Sequence, residues 1–289
     1  MNVAARVVIV AVGALLIVLG FGAIALVRGD AQPQPDPSPA PTPVERTLLL
    51  QVLDREGYAL GNVVIGIEPP GEPQTSTFLE VPSSLLVPVG DDSVTLGETP
   101  DQTDTLAAVD GLRSALRLRI DAGLTLDRLA FAGLVDSVDG IWVKLPAPVV
   151  IPGEEPGEIR RLPAGWIKMD GVTAAEYAVV RVPGESDTDR MVRFTKVLDL
   201  VLTQLPVGEE RIRQLLTSLG SLAPSTVPTE ELIPFFLQMS SDIRFDRTEY
   251  AVLPVDLIRG GVRPASVPAP EAEDLLQRLF PDAREPAGM

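Results

Sequence analysis

The chain has 289 residues, with 24 Lys and Arg against 40 Asp and Glu for a net charge of −16, and it contains neither His nor Cys. Those two zeros exclude Cys/His zinc sites, Ser-His-Asp and Cys-His nucleophiles, histidine bases and thiol redox chemistry, leaving carboxylates, Arg, Lys, hydroxyls, backbone amides or a hard metal ion held by oxygen. The acidic balance argues against nucleic acid as a partner, because no net basic field gathers phosphates; the missing cysteines leave the redox compartment open.

Residues 1–6 precede Val7–Val27, which reads VVIVAVGALLIVLGFGAIALV without a charge. At about 1.5 Å per residue this run reaches roughly 30 Å, enough to cross the hydrocarbon core of a bilayer. A cleaved signal peptide, with Ala23-Ile24-Ala25 as its site, is the alternative to an uncleaved signal anchor; the run exceeds the about 7 to 15 apolar residues of a signal peptide and favours one transmembrane helix over 7–27. Arg6 and the free amine stand on one side, whereas Arg28 is soon offset by Asp30, so residues 1–6 are expected in the cytoplasm and the rest outside a cell membrane crossed once. Residues 28–45 form a Pro-rich linker, with proline at every second position from Pro33 to Pro43. Such a run favours polyproline II and makes a spacer of about 40 Å.

Residues 46–289 read as one domain, without a second low-complexity linker or an internal repeat. Short apolar runs bounded by Gly, Pro and Asp predict strands over Arg46–Leu53, Asn62–Ile67, Ser76–Val81 and Ser84–Val89. Helical spacing follows over Thr103–Leu116 and Leu126–Val135, then a strand at Ile141–Val143. Helices are predicted at Thr173–Val180, Asp187–Leu205, Glu209–Leu219, Thr229–Met239 and Glu271–Phe280, with a strand near Tyr250–Leu257. The fold class is mixed α/β, a sheet covered by helices, preceded by the transmembrane helix.

The stretch Leu162–Leu198 is the richest in chemistry. Asp187 and Asp189 open a helix, and Arg190 and Arg193 follow. Ser186 and Asp189 have the spacing of an N-cap and its N3 residue. At about 100° per residue the apolar face of this helix centres about 60° from Arg190 and about 120° from Arg193, so Arg190 borders the buried stripe and needs a carboxylate or phosphate partner. An ion pair with Asp187 and an anion site are equally compatible with this pattern. Glu154-Glu155, Glu209-Glu210, Arg160-Arg161 and Arg117 with Arg119 read as surface charges, and Trp142 and Trp166 as core or rim packing.

The same stretch resembles the LytR-CpsA-Psr family, whose pattern is L-x-x-G-x-x-x-L-x-G-x-x-A-L-x-Y-x-R-x-R, a short loop, then D-x-x-R-x-x-R-Q-x-x-V-L. Leu162, Gly165, Met169, Gly171, Ala175, Tyr177, Arg181, Asp187, Arg190, Arg193, Val197 and Leu198 stand at the matching places. Phe131–Val143 (FAGLVDSVDGIWV) and Glu80–Val89 (EVPSSLLVPV) are similar to two further segments, so the resemblance spans about residues 46–282. It implies transfer of a glycopolymer from a polyprenyl-pyrophosphate carrier to peptidoglycan, with membrane, lipid carrier and cell-wall glycan as partners. It further implies Arg181, Arg190 and Arg193 as the pyrophosphate-binding set, Arg190, Arg193 and Asp187 as the catalytic set, and Asp187 as a weak ligand for Mg2+. Phosphoryl transfer of this kind rests on positioning and charge, and magnesium takes oxygen ligands, so neither needs His or Cys.

The departures are as specific as the matches. The family's R-x-D-T is Tyr58-Ala59-Leu60-Gly61 here, its P-R-D is Pro82-Ser83-Ser84, the first Arg of Y-x-R-x-R is Val179, and the Gln after the last Arg is Phe194. A register shift of a residue or two would let Asp54 or Arg55 substitute. The losses favour a non-catalytic relative that binds a lipid carrier, a glycan or a partner protein, while the family pattern itself implies an active phosphotransferase. Only Lys144, Lys168 and Lys196 are lysines among the 24 basic residues, the usage expected of a GC-rich, actinobacterial genome.

Overall fold

Arg46–Leu53 (RTLLLQVL) forms β1, and its continuous apolar run suits a strand covered on both faces; all but its two end residues are buried. The chain continues through β2 (Ala59–Ile67), β3 (Ser76–Glu80), β4 (Leu86–Val89), β5 (Asp92–Thr95), α1 (Thr105–Leu116), β6 (Ala122–Leu126) and α2 (Arg128–Asp136). Next come β7 (Ile141–Leu145), β8 (Val149–Pro152), β9 (Ile159–Leu162), β10 (Gly165–Met169), α3 (Gly171–Val179), α4 (Asp187–Gln204), α5 (Glu209–Leu219) and α6 (Thr229–Arg244). The last elements are β11 (Thr248–Val252), β12 (Val255–Ile258), β13 (Ala265–Pro268) and α7 (Glu271–Leu279). This computed structural model describes residues 45–69, 74–102, 105–153, 155, 157–182, 184–258 and 264–284. The chain divides after Thr42 into two units; the first, with the predicted 7–27 span and most of the Pro-rich linker, lies outside the described residues, as does Glu154. Among the described residues no helix is long and apolar enough to cross a membrane.

The central sheet has the order β11-β3-β2-β1-β6. Its middle is antiparallel, and β6 and β11 join its two edges in parallel. Strand side chains alternate between faces, and the two faces build two cores. Leu48, Leu50, Val63 and Ile65 meet Phe131 of α2, Phe194 and Leu198 of α4 and Phe236 of α6. Leu49, Val64 and Leu79 meet Leu112 of α1 and Leu276 of α7. The expected mixed α/β class is the one observed, as three layers with the sheet in the middle.

Several boundaries differ from the sequence reading. Leu126 ends β6 rather than starting a helix, because Asp127 turns the chain: its Oδ1 accepts from the Ala130 amide at 2.6 Å and caps α2. The single strand expected near Tyr250–Leu257 is two, β11 and β12, separated by Leu253-Pro254, and proline cannot donate to a ladder. Strand β2 begins three residues earlier than its apolar run, and α6 continues past Met239 to Arg244 with Pro234 inside its second turn.

The first described residue carries a pH-sensitive contact. The Glu45 side chain is buried over Gly66 of β2 and beside Phe280. Burial, reinforced by Asp282 and opposed by Arg119, pushes its carboxyl up to about 7. A carboxyl raised in the folded state costs nothing while protonated and penalises folding as it ionises. Stability is therefore expected to fall as pH rises from about 4.5 through 7, and Glu45→Gln should recover about 1 to 3 kcal/mol at pH 8 in denaturant titrations but none at pH 4.

Candidate functional site

A cleft of about 720 Å³ opens where the β1–β2 turn, the segment after β3 and the α3–α4 connection meet, and Arg55, Arg181 and Arg190 line it. The local sequence dictates how α4 presents its first turn. Ser186 Oγ accepts from the Asp189 amide at 3.1 Å and donates to Asp189 Oδ2 at 2.7 Å, which is the N-cap expected from their spacing. That fixes Asp187 and Arg190 one turn apart on the helix, with Arg190 Nη2 at 2.9 Å from Asp187 Oδ1.

Arg190 is only 4% exposed, although it lines the cleft. Its Nη2 also donates to Ser83 Oγ at 3.3 Å, and its Nε has no partner. Burial lowers the Arg190 pKa, Asp187 counters that, and the neighbouring Arg181 charge adds to the lowering. Arg181 stacks on the Tyr58 ring with its guanidinium carbon 5.3 Å from the centroid; it makes no ion pair among the described residues. Two adjacent guanidiniums, one with an unpaired buried donor, form a locus that a multivalent oxyanion would neutralise.

Ser83 joins Arg190 to a buried polar chain. Asn62 Nδ2 donates to Ser83 Oγ at 3.1 Å, Gln51 Nε2 to Asn62 Oδ1 at 2.9 Å, and Thr125 Oγ1 to Gln51 Oε1 at 3.3 Å. Gln51, Asn62 and Thr125 are register partners across β2, β1 and β6, so the chain runs across three strands into the cleft. Sequence reasoning missed it, although an amide amid LLLQVL and another opening NVVIGI were its signal. Asn62→Leu leaves Gln51 and Ser83 short of a partner and is expected to cost about 1 to 3 kcal/mol in chemical denaturation.

The remaining residues divide sharply. Arg193 is turned away from the cleft: its Nη1 donates to the Tyr177 carbonyl, and its Nη2 donates to the Val180 carbonyl at 2.5 Å and to Glu185 Oε2 at 2.8 Å. It therefore ties α3 to α4 from behind Arg190, whose charge it feels, and is not part of the cleft lining. Arg55 does face the cleft, with Nε 2.6 Å from Glu176 Oε1, and Arg128 shares that oxygen at 3.1 Å. Val179, which the resemblance sets against an arginine, is 2% exposed. Trp142 and Trp166 are not core residues: they are 56% and 68% exposed on the outer face of the β7–β10 ribbon, opposite Lys168 and Lys144.

The cleft's acids do not fit a magnesium ion. Asp187 is bound to Arg190, Glu176 to two arginines and Glu185 to Arg193. Asp54 Oδ1 accepts from the Glu56 and Tyr58 amides, and Leu60, which the resemblance sets against the acid of R-x-D-T, is an apolar residue 2% exposed. Among the described residues no group of three acids has metal-holding geometry. Magnesium needs one or two free carboxylates besides its phosphate ligands, and here Asp187, Glu176 and Glu185 are spent on guanidiniums, which leaves the exposed Glu56 of the β1–β2 turn at the cleft's edge. One turn along α4 from Arg190, Phe194 packs on Phe131 with ring centroids 6.1 Å apart and lies against Gly61 of β2.

The fold and cleft thus define a three-layer α/β domain with an arginine-lined, oxyanion-type site at one end of its sheet. The family model LytR_cpsA_psr matches residues 105–249, and the chain belongs to the LytR-CpsA-Psr family. Its architecture is similar to that of TagV from B. subtilis (TM-score 0.66, 16% identity, covering 83% of this chain and 98% of that one). It is similar also to gbs0355 from Streptococcus agalactiae (TM-score 0.67, 16% identity, 83% and 89% covered). A LytR-Csp2A-Psr enzyme from Actinomyces oris has the same architecture at 20% identity (TM-score 0.59, 83% and 92% covered). No curated protein matches the chain by sequence.

Proposed function

We propose that this protein handles cell-wall glycopolymers outside the cell membrane, holding the pyrophosphate end of a polyprenyl-linked precursor in the cleft. The observation that carries this reading is the pairing of Arg181 and Arg190 at one cleft wall, with Arg190 Nε unpaired and buried. Arg181 and Arg190 bind the phosphates, Arg55 reinforces them from the β1–β2 turn, and Asp187 holds Arg190 in place. Arg193 supports the site by fixing the α3–α4 connection. The apolar 7–27 segment anchors the domain beside a lipid-borne substrate, and peptidoglycan is the acceptor that the family implies.

A second reading, capture without transfer, is supported by the sequence resemblance, which sets Ser83, Val179 and Leu60 against two arginines and a metal-binding acid of the family pattern. In this reading the anion site works without magnesium. The two readings separate in one assay on the full chain, with a polyprenyl-pyrophosphate analogue bearing a glycan and muropeptide acceptors. Release of the lipid phosphate that depends on Arg190 supports transfer. Saturable binding without release, unchanged by magnesium, supports capture, and the absence of both overturns the cleft assignment.

A further inference from the structure

A second cavity, of about 380 Å³, lies between α4 and the β11 edge of the sheet, apart from the arginine cleft. One stripe of α4 faces it with Val192, Thr195, Lys196 and Asp199, spaced i, i+3, i+4 and i+7. Across from them stand Glu80 at the end of β3 and Tyr250, Ala251 and Val252 of β11. Glu80 is 4% exposed and Thr195 3%. Three oxygens of this lining are buried without a hydrogen bond of good geometry: Glu80 Oε2, Thr195 Oγ1 and Asp199 Oδ1; the Thr195 hydroxyl faces Glu80 and the Tyr250 hydroxyl faces Asp199.

Buried acceptors short of a well-formed hydrogen bond are rare, because each forfeits its hydration without full replacement, and a cluster of them in one cavity calls for a ligand that donates. Burial raises the Glu80 carboxyl above its ordinary range, and it pushes Asp199 up to about 6. Tyr250 points its hydroxyl at Asp199, and this residue, 44% exposed, forms one wall. Val192, Ala251 and Val252 make the others aliphatic. Lys196 stands at the rim and makes no ion pair among the described residues.

We propose that this cavity binds a small organic cation, a primary ammonium on an aliphatic body. The N–H groups of the ammonium meet Glu80 Oε2, Asp199 Oδ1 and the lone pairs of Thr195 Oγ1, the body lies on Val192 and Val252, and the Tyr250 ring faces the charge. A bare divalent ion fits less well, since it needs six or more oxygens and gains nothing from aliphatic walls. The cavity's role is independent of the arginine cleft.

The test is calorimetric titration of the full chain, held in nanodiscs, with n-butylammonium, magnesium and calcium. Butylammonium is expected to bind one to one, and Asp199→Asn and Glu80→Gln should each weaken it at least tenfold while Arg190→Ala leaves it unchanged. Both substitutions keep shape and remove a desolvated charge, so their melting temperatures should equal or exceed the parent's, which separates lost binding from lost folding. No saturable butylammonium binding, affinity indifferent to both substitutions, or tighter binding of calcium or magnesium at the same residues overturns the proposal.

Discussion

Replacing Arg190 with Ala is expected to weaken pyrophosphate binding by about 10- to 100-fold, measured by calorimetry with an isoprenyl pyrophosphate, while the fold persists. A charge-assisted contact to phosphate contributes about 1.5 to 3 kcal/mol, and each 1.4 kcal/mol is a factor of ten in affinity. The partner left behind, Asp187, has a side chain 47% exposed and is rehydrated, so the stability loss is small. Arg193→Ala should behave in the opposite way. It strips three acceptors of their donor, including Glu185 with a side chain only 16% exposed, and breaking a buried pair typically costs about 3 to 5 kcal/mol. Its effect on the ligand should follow its effect on folding. If Arg190→Ala left affinity unchanged, the cleft would not be the anion site.

A stability effect as large as that of Arg193→Ala is expected at Phe194. Its ring is 1% exposed and packs between Phe131 and the bare backbone of Gly61, where an added Cβ would come within 2.5 Å of the ring. Truncating a buried Phe to Ala removes its transfer energy and leaves a cavity, about 3 to 5 kcal/mol together. Phe194→Ala should therefore lower the urea midpoint sharply without changing the charge of the cleft. Gly61→Ala should destabilise through the same contact from the other side, since the ring must move to admit a methyl group. A rescue of Gly61→Ala by Phe194→Leu, tested as a double-mutant cycle, would show that one pair of atoms accounts for both.

Much of the fold can be read from periodicity. The run RTLLLQVL gives β1 with the bounds observed, and the apolar stripe of α4 through Met191, Phe194, Leu198 and Val201 is buried as its spacing requires. Short strands escape that reading. Ala122–Leu126 (AGLTL) has neither strict alternation nor many β-branched residues, yet it is wholly buried because it pairs with β1 in parallel at a covered edge. Trp142 and Trp166 mislead in the opposite direction: large aromatic residues are expected inside, but β7 and β10 alternate and present both outward.

The site divides along the same line. Composition alone removed His and Cys chemistry, and the order of motifs pointed to the Arg181–Arg193 segment, because residue type and spacing are properties of the chain. Which arginine faces the cleft is not such a property. Arg190 and Arg193 are three residues apart on one helix and both are buried, so helical angles separate them only by their distance from the apolar stripe. Their roles are set by partners far away in sequence: Ser83 draws Arg190 toward the cleft, and the carbonyls ending α3 take Arg193 away from it. Hydrogen bonds act over about 3 Å of space whatever the number of intervening residues, and only the folded chain brings those groups within that distance.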